Sequence, residues 1–364
     1  MNTKTIYIDG WFLQPPLRGV GKYIKNLLTY LEIKNNAINY ILLVPRNDLD
    51  LSYLPEHISI EIINCKYSLF WYEFYIPRFL NRIKDPYIFF PSGICSLIYN
   101  PSNKNIFSTI HDVSALMRFK YSPINFQFRS IFGRIYRIFS FYKIINNSII
   151  IFTVSKTSKY GIEKFLPKRK NNYPEIKVVY NASEIKSFKS YSKSKSFLCI
   201  TGENNQKNSN CIINSLDYFD NSSLKGWKIY LIGLKQNKKI QHPSGVKIIY
   251  QKYLEFNEIL KLYQKAYCLL FPSLFESFGI PLVDAMKAEC HIIASNQGAP
   301  HEICGDNGVY FNPNSSYQLF KKIDEITSNY PYPPVIDTKN LALNQTWLNA
   351  SKKVFGIIES KVLN

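Results

Sequence analysis

Long apolar runs are missing from this 364-residue chain, and none reaches the ~18 residues that a membrane-spanning helix needs. Ser148-Ile-Ile-Ile-Phe-Thr-Val154 is only strand length. At the N-terminus, Met1-Asn-Thr-Lys-Thr-Ile-Tyr-Ile8 has no long apolar segment after its charge, so a secretory signal is not expected and a cytoplasmic setting is. The seven cysteines form no Cys-x-x-Cys pair and have no histidine at metal-ligand spacing. They read as reduced, partly buried thiols, without disulfides or structural zinc. No metal site is expected, and no fixed-period repeat is visible.

Acidic residues are also scarce. The chain has 26 Asp and Glu against 45 Lys and Arg, for a net charge of +19. The excess is uneven, because residues 1–183 hold 24 basic and 11 acidic side chains, a balance of +13. Between Asp112 and Glu163 there is no acid at all, while Arg118, Lys120, Arg129, Arg134, Arg137, Lys143, Lys156 and Lys159 are interleaved with Phe and Tyr. Such a segment suits an anionic membrane surface, where the rings add apolar anchoring. The alternative is a helix with its aromatics in the core and its arginines in water. No nucleic-acid-binding signature accompanies the charge, so nucleic acid is not expected as a partner.

The hydrophobic content, 46%, is that of a globular protein, and the length fits two domains. Short apolar runs such as Lys4–Ile8, Tyr40–Val44, Tyr87–Phe90, Asn105–Ile110 and Ile149–Val154 alternate with helical spacing. A Ser/Lys-rich stretch without period, 184–196, reads as a linker, and a second alternation begins at Phe197. The fold class is therefore α/β, with two successive doubly wound, Rossmann-like domains and an interdomain cleft. Domain bounds are expected at 1–183 and 197–343, with a terminal helix over 344–364.

Phe271-Pro-Ser-Leu-Phe-Glu-Ser-Phe-Gly-Ile-Pro-Leu-Val-Asp-Ala-Met286 is the densest segment. It reads as a strand, a glycine-containing turn and a helix start, with Pro281 suited to the first helical turn. A helix N-terminus after a strand is an anion site, and carboxylates beside it suit sugar hydroxyls. Glu276 and Asp284 frame the segment. Together with Ala294-Ser-Asn296, Pro300-His-Glu302 and Gly305-Asp-Asn-Gly-Val-Tyr-Phe-Asn-Pro313, it resembles the donor-site signature of the retaining glycosyltransferases of family 4. Asp284 stands where that signature has a second Glu.

The resemblance implies the GT-B architecture: an acceptor-side first domain, a donor-side second domain, and a terminal helix returning to the first. It also implies a nucleotide diphosphate sugar as donor substrate, no cofactor, and retention at the anomeric carbon. The acceptor would be a lipid-linked glycan of O-antigen or capsule type. Site residues carry over one by one. Lys207 would meet the diphosphate, although Gln206 precedes it where the family usually has Arg, and Arg18 is a possible substitute. Gly19 and Gly21 would form a phosphate-facing loop. Glu276 and the backbone of Gly279, Ile280, Pro281 and Leu282 would face the sugar and its phosphates, and Asp284 the ribose. His111, followed by Asp112, would orient the transferred sugar. Ser155 and Glu302 read as architectural. The alternatives are a nucleotide-sugar epimerase or phosphorylase on the same fold, or a non-catalytic membrane-bound partner.

Overall fold

The computed structural model describes residues 3–33, 37–101, 104–117, 128–167, 173–185, 192–202, 204–234 and 237–363. They form two compact units: the described residues up to 117, of 128–181 and of 346–363 make the first, and those of 182–345 the second.

The first unit is built on seven parallel strands: β1 (Lys4–Asp9), β2 (Ile38–Val44), β3 (Ile58–Ile62), β4 (Tyr87–Phe90), β5 (Ile106–Ile110), β6 (Ser148–Thr153) and β7 (Glu175–Val178). Their order is β3-β2-β1-β4-β5-β6-β7, so the winding reverses between β1 and β4. Central β5 is buried at every position, as expected of a strand covered on both faces.

Helix Gly19–Thr29 buries Tyr23, Ile24, Leu27 and Leu28, a helical spacing that faces the sheet. Beside it lies Trp347–Leu363, whose Ser351 hydroxyl donates to the Leu27 carbonyl at 2.8 Å. From β2, Tyr40 donates to buried Glu359 at 2.6 Å, and Phe355 meets the Tyr40 and Phe89 rings edge-on. Burying Val354, Phe355 and Ile358 there is worth about 1.5–3 kcal/mol each relative to exposure.

The second unit repeats the plan with β8 (Ser194–Ile200), β9 (Lys228–Ile232), β10 (Lys238–Gln241), β11 (Lys247–Gln251), β12 (Ala266–Phe271), β13 (His291–Ser295) and β14 (Val309–Phe311). The order is β10-β11-β9-β8-β12-β13-β14, with the reversal between β8 and β12. Edge strand β10 runs antiparallel to β11, and the other pairings are parallel.

Some boundaries differ from the sequence reading. Residues 186–191 of the expected linker lie outside the described residues, and Ser194–Ser196 already belong to β8. The exposed Ser-Lys start of that strand hid it. Lys193, also assigned to the linker, is anchored: its ammonium donates to the Tyr263 and Gln264 carbonyls at 3.3 and 3.2 Å, at the end of helix Phe256–Lys265. The terminal helix starts at Trp347 rather than 344, after a short turn of helix, Leu341–Asn344. Strands β10 and β14 lie outside the strands that the sequence pattern marks, β10 because Lys-Lys-Ile-Gln is a polar edge segment.

Candidate functional site

In doubly wound sheets, ligands bind beyond the carboxyl ends of the strands at the point where the winding reverses. In the second unit that point lies between β8 and β12. After β8 the chain makes a short turn, Asn205–Lys207, and Asn208 takes a left-handed conformation with φ 51°. After β12 it runs through Pro272 to Glu276.

The two loops are clamped together. Leu274 N–H donates to the Gln206 carbonyl and the Gln206 amide to the Phe275 carbonyl, both at 2.9 Å. Asn208 donates to the Pro272 and Pro313 carbonyls at 3.0 and 2.9 Å. This framework holds the Lys207 ammonium 2.9 Å from Glu276 Oε2 and 5.6 Å from the Phe271 ring centroid. Both partners keep access to water, with side chains 34% and 20% exposed. Burial pushes the Lys207 pKa down, but the Glu276 carboxylate more than offsets this and the net shift is upward. Lys207 is therefore a fixed cation.

Glu276 is positioned by a residue the sequence reading passed over. Gly298 sits at φ 88°, and a Cβ there would lie 2.2 Å from the Glu276 carbonyl oxygen. That same oxygen accepts the Ala299 N–H at 2.8 Å. Gly298 two residues before Pro300 is the available signal, because glycine and proline are the strongest local breaks in regular structure.

Gly279, at φ 88°, caps helix Ile280–Lys287, with Pro281 in its first turn. The Leu282 N–H turns inward to the Gly279 carbonyl at 2.9 Å. Pro281 has no N–H to offer, and the amides of Gly279 and Ile280 stand at the helix start. Asp284, on the same helix, accepts the Ser183 hydroxyl at 2.5 Å.

In the first unit the reversal between β1 and β4 is filled by the protein itself. Asp9 ends β1 fully buried and accepts three bonds: from Trp11 N–H at 3.1 Å, Trp71 Nε1 at 2.9 Å and the Tyr72 hydroxyl at 2.9 Å. Burial raises its pKa to about 6, against the opposing pull of those bonds.

Gly19 and Gly21 are not in a loop, as expected, but in the first turn of helix Gly19–Thr29. A Cβ on Gly21 would meet the Phe12 carbonyl oxygen at 2.4 Å, so this glycine permits close packing. Gly19 has open space around it. Arg18 is exposed just before it.

His111 follows β5, its Nε2 2.8 Å from the Pro91 carbonyl oxygen. A carbonyl only accepts, so Nε2 carries the proton. Burial lowers the histidine pKa, opposed by the Pro91 bond and by Asp112. The ring is thus neutral near pH 7, with Nδ1 as acceptor. Tyr23 holds it edge-on at 4.6 Å and itself bonds Thr109 at 3.0 Å. Ser155 caps helix Lys156–Lys164 by accepting the Ser158 N–H. The acidic pair Asp48-Leu49-Asp50 is occupied elsewhere, with Asp48 bonding Arg46 and Asp50 bonding Ser52. Among the described residues no group of three His, Cys, Asp or Glu is placed to hold a metal ion, and no helix is long and apolar enough to cross a membrane.

Two successive doubly wound α/β units are the plan of the GT-B fold. Solved structures agree on that fold. One is the apo form of the lipopolysaccharide outer core galactosyltransferase WaaB, at TM-score 0.62 and 14% identity over 98% of this chain and 99% of that one. Another is HepE of Anabaena in complex with UDP, at TM-score 0.58 and 13% identity over 99% and 98%.

Residues 181–340, which make up most of the second unit, match the family model described as glycosyl transferases group 1. Among curated proteins, the O-antigen chain mannosyltransferase RfbU of Salmonella typhimurium strain LT2 is 27% identical over 234 residues, 62% of this chain and 63% of that protein. The chain thus spans less than two thirds of that relative's length.

Proposed function

We propose that this protein is a retaining glycosyltransferase. It moves a hexose or deoxyhexose from a nucleotide diphosphate sugar to a lipid-linked glycan of surface-polysaccharide synthesis, in the cytoplasm at the inner face of the cell membrane. The observation that carries this reading is the Lys207–Glu276 pair, 2.9 Å apart at the switch point of the unit that the group 1 family model matches. Lys207 and the Gly279 and Ile280 amides meet the charge that develops on the leaving diphosphate. Glu276 accepts hydrogen bonds from sugar hydroxyls, and Asp284 from the ribose. His111 orients the sugar through Nδ1.

The acceptor oxygen attacks the anomeric carbon from the side the diphosphate leaves, and that carbon's bond to the phosphate oxygen breaks. The acceptor proton passes to the departing phosphate, so no side-chain nucleophile is required. Lys207 supplies the positive charge, and neither metal nor other cofactor is invoked.

Relatives named as O-antigen mannosyltransferases and a lipopolysaccharide galactosyltransferase support the sugar and acceptor classes, and the UDP of HepE supports the donor class. The test is a panel of mannosyl and galactosyl nucleotide diphosphates. The correct donor at about a hundred times its Kd stabilises the fold by about 2.7 kcal/mol and raises the melting temperature. If none protects and none is turned over, the reading fails.

A further inference from the structure

We propose that the first unit docks on an anionic lipid bilayer through one composite face, built from two chain segments and organised by Glu73. This deepens the membrane setting proposed above and rests on that reading.

Helix Phe128–Asn147 turns Phe141, Ile144 and Ile145 into the core. Its opposite side is apolar too: Ile131, Phe132, Ile135, Phe139 and Tyr142 are exposed, Phe139 by 58%. These positions share one helical face. Phe141 is thus the core-facing ring of this helix, while Phe132, Phe139 and Tyr142 stand in water beside an exposed Arg137 elsewhere on its surface. A second set of exposed apolar side chains comes from the π-helical turn Trp71–Tyr75 and its approach, with Phe70 at 57% and Phe74 at 52%, and from a nearby loop with Ile98 at 65%.

Glu73 joins the three elements. Its carboxylate accepts Leu97 N–H at 2.9 Å, Ile98 N–H at 3.1 Å and the hydroxyl of Tyr136. Tyr136 lies between Phe132 and Phe139 in the chain, on the flank of the exposed stripe. Farther along, Lys143 donates to Asn100 at 2.9 Å and ties the same loop to the same helix. Glu73 and Lys143 therefore tie the segments that carry Phe74 and Ile98 to the helix that carries the stripe.

Large side chains left in water on this scale mark an interaction surface. Charge selects the occupant. Glu73 is the only acid between Glu61 and Asp85, and its oxygens are engaged inside the fold, while Lys66, Arg78, Arg82 and Lys84 accompany it. The helix segment has no acid between Asp112 and Glu163. Lys66, Arg78, Arg82 and Lys84 are exposed, so a second copy would present the same excess of positive charge and be repelled, whereas anionic headgroups are drawn to it and aromatic rings seat at the headgroup boundary.

The experiment is flotation of the full chain with phosphatidylcholine vesicles containing about one third phosphatidylglycerol, against pure phosphatidylcholine. Wild type floats with the anionic vesicles only. Phe70→Ser with Phe74→Ser, and separately Phe132→Ser with Phe139→Ser, each weaken binding about tenfold or more, with unchanged melting temperature and donor protection. Arg78→Glu, four residues beyond Phe74 on an exposed position, weakens it by a smaller factor. The proposal is overturned if the Phe70/Phe74 variant floats like wild type, or if wild type ignores the vesicles and sediments as a dimer that Phe139→Ser breaks. A chain that binds vesicles but no donor sinks the transferase reading instead.

Discussion

The two units solve the same topological problem in opposite ways. Each winds seven strands and reverses direction once, between β1 and β4 or between β8 and β12. Each puts a carboxylate just beyond that reversal. In the first unit Asp9 is sealed beneath Trp11, Trp71 and Tyr72, and every bond it accepts comes from its own chain. In the second, Glu276 remains 20% exposed and faces a lysine that is 34% exposed. A sealed carboxylate is a piece of architecture, whereas an accessible ion pair can exchange partners with an anionic ligand. The crevice that topology provides becomes a binding site only where the side chains leave it open.

The most direct way to break this contrast is Lys207→Ala. A partly exposed pair adds about 0–1 kcal/mol to stability, so the melting temperature should barely move. Turnover is different: removing the charge that meets the leaving group should lower kcat by about a hundred- to a thousandfold. Steady-state kinetics with the donor that protects best makes the measurement. A kcat within threefold of wild type would place the second unit's ion pair on the same structural footing as Asp9.

Gly298→Ala comes next. At φ 88° an added Cβ is strained, and it would press on the Glu276 carbonyl from 2.2 Å. We expect a loss of about 2–4 kcal/mol in urea unfolding, together with a fall in kcat as Glu276 shifts. Gly21→Ala meets the Phe12 carbonyl at 2.4 Å and should also destabilise, but without moving Lys207 or Glu276. If both variants lose stability and kcat in equal proportion, Gly298 has no special link to the site.

Asp9 gives the contrast a pH signature. Its folded pKa of about 6 lies above the ordinary carboxylate value of 3.8. Between those values the native state holds a proton that the unfolded chain has released, so unfolding releases it and stability falls as pH rises. The contribution is fully present below about pH 4 and lost through about pH 6, at most about 3 kcal/mol in all. Calorimetry at several pH values should show this slope in wild type and not in Asp9→Asn. An unchanged slope in the variant would mean that Asp9 is ionised in the folded protein throughout the range.

Much of the fold was legible because buried parallel strands write themselves as apolar runs. The apolar run Tyr87–Phe90 is β4 to the residue, and the run Asn105–Ile110 exceeds β5 by one residue. Polar edges were not legible: β10 has two lysines in four residues, and β8 begins on Ser-Lys-Ser. In the candidate site, Glu276 and Lys207 stand out by residue type and by their place after strands. What the sequence could not convey was contact. Gln206 looked like a missing cation, yet its amide ties one loop to the other. Leu282 looked like an anion donor until its N–H turned back to Gly279. The outward face of helix Phe128–Asn147 was equally hidden, since an apolar stripe reads the same facing core or solvent.

Gly19 remains the finest discriminator between the two units. It occupies the first turn of its helix with nothing within 4 Å of an added Cβ. Alanine is the better helix former, by up to about 1 kcal/mol in a helix interior and less at an end. Gly19→Ala should therefore leave the melting temperature unchanged or slightly higher. If the Gly19 backbone approaches donor phosphate, the methyl group stands in the way, and KM for the donor should rise about fivefold with the fold intact. An unchanged KM would remove the first unit from phosphate binding altogether. The glycine would then be no more than a helix start, and the diphosphate would belong to Lys207 and the β8–β12 switch point alone.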